Sequence, residues 1–450
     1  MRSCFRLAAI VFLVFGPLGS MLTHAGGPQL QQPSGAGTPA GANSPSQSLT
    51  LAQAEQIAIR NHPEIQAAMG LAEYANEQVK ESRSAYYPTA RGSLTGVEAE
   101  SDSRIAAGAI NNPIIYDRYS NGFELSQLIT DFGRTHELVA SSSLHAKAQQ
   151  ERVVTSRADV LVNVDEAYFN VLRDQTLLRV ARQTVKERQL VTDQVTTEAN
   201  NQLKSGLDVS FAQVDLSQAQ LLLIQAQNDL EASYAQLSAA LGYSNQQTFQ
   251  LAEQPIPSQP PAALSPLIQE ALRDRPEMIS QRLDVNSAQD YATAERDLWF
   301  PTISAAGAAG VTPFRQDQLG SRYAAAGFDV NIPIFNGHLF GALRGEANAQ
   351  ARVQQEYLRG LEDTIVRDVR TAWLDANSAY QRLSVTQQLL EQAQKALDLA
   401  QARYRLGLSS IVELSQAQLN ETSAEIAQAS AKYDYQTRIS VLNYQVGTLH

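Results

Sequence analysis

The sequence predicts a mainly α-helical fold with a small β portion, built twice from one plan within 450 residues. Three observations predict it. Motifs of the first half recur in the same order in the second half, two very long stretches lack proline, and short segments of alternating apolar and polar residues precede each long stretch. Period-two alternation is typical of strands, and apolar residues recurring every three or four positions are typical of packed helices.

The beginning of the chain predicts export. In residues 1–25, Arg2 and Arg6 precede a short apolar core and a small-residue cleavage site, as in a signal peptide. Residues 26–49 are rich in Gly, Pro, Ser and Gln and carry no charge, which predicts a flexible linker. Cys4, the only cysteine, lies in the signal, so the mature chain is expected to have no disulfide and no thiolate metal site. The formal charge of -11 argues against nucleic acid as a partner.

An internal duplication organises the remainder. The motif Asn-His-Pro-Glu at 61–64 returns as Asp-Arg-Pro-Glu at 274–277, and Tyr-Tyr-Pro at 86–88 returns as Trp-Phe-Pro at 299–301. A second constant offset aligns later segments of the two halves. Such a spacing predicts two structural repeats, 50–263 and 264–450, each holding short helices, a strand pair and a long helical hairpin.

Two helices of exceptional length are predicted at about 136–202 and 339–406, because neither stretch contains proline. Each would reach roughly 100 Å at 1.5 Å per residue. Apolar residues recur every seven positions beside a lane of small residues, which predicts coiled-coil seams with close helix approach. Many of the other positions are uncharged and polar, as expected for a wall with water on both sides.

The strand pairs predict a membrane portion. On three of the strands one face is apolar and the other is small or polar, as in transmembrane β-barrels, whereas the pattern of residues 89–97 is more ambiguous. Four strands cannot close a barrel, since about eight is the smallest number known. Two chains would give a filled eight-stranded barrel and three would give a twelve-stranded pore. Glu124 and Asp329 then face the lumen, and Tyr86, Tyr87, Trp299 and Phe300 are expected at the membrane interface.

These features together resemble the TolC family of outer-membrane efflux and secretion channels. The resemblance covers residues 50–449 and rests on the duplicated plan, the two motif pairs and the turn at 404–414. It implies a homotrimer in which each chain contributes four strands to a shared twelve-stranded barrel in outer-membrane lipid, continued into the periplasm by a coiled-coil helical tunnel. It also implies a periplasmic adaptor protein and an inner-membrane pump of RND, ABC or MFS type, in an efflux or type I secretion system.

The resemblance places a periplasmic gate at the hairpin turns. Glu413 matches the acid of a constricting ring, whereas its companion position holds Gln416, so a second acidic ring is not expected. The lock arginine of the family falls at Ser409, which leaves Arg405 as a candidate replacement. The gate and tip residues are then Glu413, Asp208, Tyr404, Gly407, Ser410 and Arg405. Residues 205–208 and 410–413 also have the Ser-to-acid spacing of a capping box, which is a purely structural account of both acids.

Other functions are weaker expectations. A periplasmic adaptor also carries long hairpins, but usually only one, and an exported coiled-coil scaffolding protein would not need the alternating strands. The histidines lack paired ligand spacing, and the glycine pairs lack the setting of a phosphate loop, so no enzyme activity, metal or cofactor is predicted. The sequence does not indicate which substance passes through the channel.

Overall fold

The computed structural model of the chain describes residues 48–100 and 114–449. The predicted signal peptide and the predicted linker up to residue 47 lie outside the described residues. The last linker position, Leu49, is described and forms a parallel bridge with Leu251. The first repeat contains α1 (Leu51–Asn61), α2 (Pro63–Arg83), β1 (Thr89–Val97), β2 (Arg118–Thr130), α3 (Arg134–Asn200) and α4 (Gly206–Ala240). A single turn of 3-10 helix, Ser84–Tyr86, leads from α2 towards β1.

The second repeat follows the same order. It contains α5 (Leu264–Asp274), α6 (Pro276–Asp297), β3 (Thr302–Arg315), β4 (Arg322–Asn331), α7 (Leu339–Arg405) and α8 (Ile411–Val446). The predicted long helices are confirmed as α3 and α7, each of 67 residues. At 1.5 Å per residue each is about 100 Å long. No helix within the described ranges has the length and apolarity needed to cross a membrane.

The four strands form one antiparallel sheet in the order β1-β2-β3-β4, so the strand pairs of both repeats join through β2 and β3. The register places Ser93, Gly122, Gly310 and Tyr323 across the sheet on one face. The alternation predicted from the sequence is therefore expressed as two distinct faces. Within this chain β1 and β4 each have one edge without a strand partner among the described residues.

The helical seams are built as predicted. Along α3 the residues Val160, Val164, Val171 and Ala181 are at most 1% exposed, and Val369 and Ala376 of α7 are fully buried. The small residues let neighbouring helices approach closely, as in coiled coils. Helix α3 packs against α4, α6 and α8, and α7 packs against α6 and α8. Helices α4, α3, α8 and α7 therefore pack in this order as a helical wall.

The repeated motifs dock the ends of each repeat. Gly242 follows α4 with φ +79, and a Cβ there would lie 2.9 Å from the carbonyl carbon of Asn61. Gly447 follows α8 with φ +88, and its Cβ would lie 3.0 Å from Cγ of Arg275. Both positions require glycine because of the left-handed backbone and the close approach. In each repeat the end of the last helix therefore packs against the Asn/Asp-x-Pro-Glu motif of the same repeat.

Candidate functional site at the hairpin turns

The turn between α3 and α4 is closed by a capping box. The Ser205 amide donates to Oδ2 of Asp208 over 2.9 Å, and the Asp208 amide donates to Oγ of Ser205 over 3.2 Å. This confirms the capping account of Asp208. The backbone and side-chain hydrogen bonds from Ser205 lower the pKa of Asp208, and the Lys204 charge adds to the effect. Asp208 is therefore held ionised at the start of α4.

The turn between α7 and α8 depends on a glycine. Gly407 has φ +73, its amide donates to the Tyr404 carbonyl over 3.0 Å, and the Leu408 amide donates to the Arg403 carbonyl over 2.8 Å. A residue in the left-handed conformation at this point ends a helix, because it lets the following amides donate hydrogen bonds to the last carbonyls of the helix. Ser410 then opens α8 as its N-cap. Gly407 and Ser410 thus fix how sharply the chain reverses.

Glu413 is arranged differently from Asp208. Its amide donates to Oγ of Ser410 over 3.4 Å, so half of the predicted capping box is present. Its carboxylate turns away from Ser410, and Oε1 lies 3.2 Å from Nε of Arg403 in the last turn of α7. Both side chains are about half exposed. Sequence reasoning missed Arg403, although an opposite charge just before the turn was a usable signal.

A buried cluster joins the two hairpin turns. Tyr404, 6% exposed, packs with Val195 of α3, Ala212 of α4 and Ile411 of α8. The Lys204 ammonium lies 4.4 Å from the centroid of the Tyr404 ring, which is within cation–π range. The Tyr404 hydroxyl is buried without a hydrogen-bond partner in the described part of the chain. Burial raises the pKa of Tyr404, and the charges of Glu198 and Asp208 raise it further.

Arg405, the candidate replacement for the lock arginine, lies at the end of α7. Its side chain is exposed and forms no ion pair with the described residues; it lines a groove of about 280 Å³ together with Glu187 and Gln418. Lys204 is the cation that lies over the Tyr404 ring, and its charge also helps to lower the pKa of Asp208. Ser409, at the position of the family's arginine, has a buried hydroxyl without a partner within the described ranges.

A polar layer lies further along the hairpins and was not predicted. Arg188 of α3 is 7% exposed and donates to the side-chain oxygen of Gln418 in α8. Ser415 donates to Asp215, which links α8 to α4. Burial raises the pKa of Glu421 to about 7, and its neighbours Glu425 and Glu187 contribute, while Arg188 opposes them. These groups bring a titratable carboxyl close to a buried arginine between the hairpins.

The predicted lumen acids share one face of the sheet. Glu124 lies directly opposite Arg91 of β1, and Asp329 lies opposite Ser304 of β3. The register puts the two acids on the polar face, as the alternation predicted. Arg91 was missed because the alternation of β1 is less regular in the sequence. Phe123, Leu125 and Phe328 lie on the other face, and each is more than half exposed.

The predicted interfacial aromatics lie where helices meet strands. Tyr86, Tyr87, Trp299 and Phe300 are all exposed in the chain, and Tyr87 has the largest exposed fraction, 69%. Further aromatics extend the group: Phe132 lies 6.2 Å from Phe300, and Phe340 packs edge-to-face on Trp299 at 5.7 Å. Amphipathic rings in a belt of this kind are typical of a membrane–water boundary.

Comparison with known proteins decides the family. Residues 55–243 and 267–447 match the family model described as outer membrane efflux protein, one segment in each repeat. The chain belongs to the outer membrane efflux protein family. The match confirms the resemblance drawn from the motifs, and it gives no support to the adaptor alternative. The protein is accordingly an efflux protein of the outer membrane.

Individual relatives agree with this assignment. Outer membrane protein TolC of Escherichia coli is 25% identical over 432 residues, covering 91% of this chain and 84% of TolC. The pyoverdine export outer membrane protein OpmQ of Pseudomonas aeruginosa is 27% identical over 342 residues, covering 74% of this chain and 69% of OpmQ. The crystal structure of the Campylobacter jejuni CmeC outer membrane channel superposes with a TM-score of 0.75 at 19% identity, covering 88% of this chain and 85% of CmeC. The efflux-family fold is thus shared along nearly the whole chain.

Proposed function

We propose that the chain is one third of a homotrimeric exit duct. The observation that carries this is the four-stranded sheet with outer edges on β1 and β4 that this chain does not pair. Unpaired backbone groups are not tolerated in lipid, so the edges need strands from other copies. Three copies give twelve strands, enough for a water-filled lumen, whereas two would fill it with side chains. Glu124 and Asp329 then face that lumen, and the exposed aromatics form the interfacial belt.

The helices support the same assembly. Apolar side chains are exposed along α7 and along α4, on the two sides of the wall formed by one chain. On α7 they are Tyr357, Leu374, Val385, Leu389 and Leu399, and on α4 they are Leu207, Phe211, Val214, Leu221 and Ile224. Patches of this extent are typical of interaction surfaces. In the trimer α7 of one copy would cover the α4 side of the next.

The duct is passive, and other proteins supply the energy and choose the transported substance. The helical wall extends about 100 Å from the strands, far enough to bring the hairpin turns deep into the periplasm. We propose that a periplasmic adaptor and an inner-membrane pump of RND, ABC or MFS type engage there. The protein performs no catalysis and needs no cofactor in this role.

We further propose that the hairpin turns form an acidic constriction at which Glu413 selects cations. One Glu413 per copy would bring three carboxylates around the threefold axis. Arg403 partly neutralises each one through the 3.2 Å ion pair. An exposed pair of this kind is worth only about 0.2–1 kcal/mol, so it can break when a cation passes.

Planar bilayer recordings test the constriction. Glu413→Ala should reduce the preference for cations over anions, and Arg403→Ala should increase it by freeing the carboxylate. Ser410→Ala is the matched control, because it removes the cap of α8 and leaves both charges in place. Equal selectivity in all four proteins would refute the constriction. Heat-modifiable trimers on gels test the assembly separately, and a monomer that stays soluble without detergent would refute the duct.

A further inference from the structure

A groove between α6 and the beginning of α7 contains three arginines. It has a volume of about 410 Å³ and is lined by Arg296 from α6 and by Arg344 and Arg352 from α7. Gln289, Thr293 and Asn348 add uncharged polar groups, and no lining residue is acidic. Guanidinium groups offer planar sets of N–H donors that match phosphate oxygens. The groove is therefore a surface complementary to an anion.

Two of the three arginines are uncompensated in the described part of the chain. Arg296 pairs with the buried Asp297, with Nη2 2.8 Å from Oδ1. Arg344 and Arg352 form no ion pair with described residues, and both are exposed. An anion that enters the groove would meet two free guanidinium groups and a third that already shares a carboxylate.

The groove opens beside the interfacial aromatics. Phe340, Arg344, Asn348 and Arg352 are four residues apart, so they share one face of α7 with about 6 Å between successive positions along the axis. Phe340 packs on Trp299, which follows Arg296 by less than one turn. Arg296 and Arg344 thus lie roughly 5–6 Å from the aromatic belt, a depth that matches the headgroup layer of a bilayer.

The expected trimer contact lies on another side of α7. Tyr357 follows Arg344 by thirteen residues, which at 100° per residue places it about 140° away around the helix. Its exposed ring belongs to the apolar surface proposed above to meet a second copy. The arginine groove therefore lies outside the apolar surface proposed to meet the next copy.

We propose that the arginine groove binds the phosphate of an anionic phospholipid from the periplasmic leaflet of the outer membrane. The acyl chains would extend along Trp299 and Phe340 into the membrane. This inference rests on the proposed function, because it needs the aromatic belt at the membrane boundary. The groove has three arginines and no carboxylate, which favours an anionic ligand over a neutral one. The adjoining Trp299 and Phe340 favour a ligand with acyl chains.

Native mass spectrometry of the full-length protein in detergent tests the proposal. Phosphatidylglycerol should bind about tenfold more tightly than phosphatidylcholine with the same acyl chains, because the choline ammonium cancels the charge of the phosphate and is repelled by the guanidinium groups. Arg344→Gln combined with Arg352→Gln should remove that preference. Arg359→Gln combined with Arg370→Gln is the matched control, since it removes the same charge from α7 further from the belt and should leave binding unchanged.

Three outcomes would overturn the inference. They are equal binding of both lipids, retention of the preference in the Arg344 and Arg352 double variant, and glycerol phosphate without acyl chains binding as tightly as the intact lipid. The last would identify a free-anion site. Trimer content and circular dichroism of each preparation show whether a variant is assembled and folded, so a failed duct and a failed lipid site give different results.

Discussion

Lys204 is predicted to hold the two hairpin turns of each copy together. It belongs to the turn between α3 and α4, and its ammonium lies 4.4 Å from the ring centroid of Tyr404 at the end of α7. Lys204→Ala removes this contact and the positive charge near Asp208, and it leaves both helix caps in place. The substitution therefore weakens the link between hairpins without disturbing either turn.

The magnitude follows from the contact and the proposed symmetry. A half-buried cation–π pair is worth about 1 kcal/mol. If the three copies of the trimer separate together, the loss is about 3 kcal/mol, and the ratio of open to closed channels rises roughly 100-fold. If one copy opens independently, the same loss gives only about a fivefold rise. The size of the effect thus reports whether the turns move together.

Single-channel recording in planar bilayers measures the fraction of time in the high-conductance state. Lys204→Arg should restore the wild-type value, because arginine also stacks on aromatic rings. Lys186→Ala is the control, since it removes an exposed lysine of α3 that contacts no aromatic ring in the described part of the chain. An unchanged open fraction in Lys204→Ala, or an equal increase in Lys186→Ala, would refute the reasoning.

Three more predictions follow from single side chains. Tyr404→Phe removes a hydroxyl without a described partner, so its open fraction should equal that of wild type; opening would reveal a hydrogen bond made by the hydroxyl. Glu421 has a pKa of about 7 against the ordinary 4.5. Its protonated carboxyl therefore adds to the free energy of unfolding, fully below pH 4.5, and this contribution is lost as pH rises through 7. The pKa shift corresponds to roughly 3 kcal/mol in the free energy of unfolding, which partial exposure of the side chain reduces to about 1–2 kcal/mol. Denaturant titrations at pH 5 and pH 8 should show this loss in wild type and not in Glu421→Gln. Gly310→Ala would place a Cβ 2.5 Å from Cζ of Tyr323 and should lower the heat stability of the trimer, whereas Gly96→Ala has open space and should not; equal stability of the two variants would contradict the close packing.

The sequence by itself determined the repeating architecture. The spacing of apolar residues predicts both 67-residue helices, the four strands and the two distinct faces of the sheet. This spacing is a local property, because it depends only on residues within one helix or strand. The glycines at 242 and 447 occupy equivalent positions in the two repeats, but the sequence does not show that they dock on the Pro-Glu motifs. Helix starts are less well determined: serine followed by proline at 265–266 is typical of a cap and the first helical residue, yet α5 begins at Leu264 after Ala263. Exposed helix ends shift by a residue or two because their hydrogen bonds are weakly determined.

Only the tertiary structure decided which charges meet at the hairpin turns. Lys204 and Tyr404 are far apart in the chain, and so are Arg188 and Gln418; they meet because the hairpins pack along one seam. Periodicity places a residue on a face, but it does not specify which residue of a distant helix lies opposite. That choice is made by the axial register of the packed helices, and the register depends on the whole seam of side chains. The acids Asp208 and Glu413 and their spacing from a preceding serine are visible in the sequence, whereas the contact of Lys204 with Tyr404 is set only by the fold.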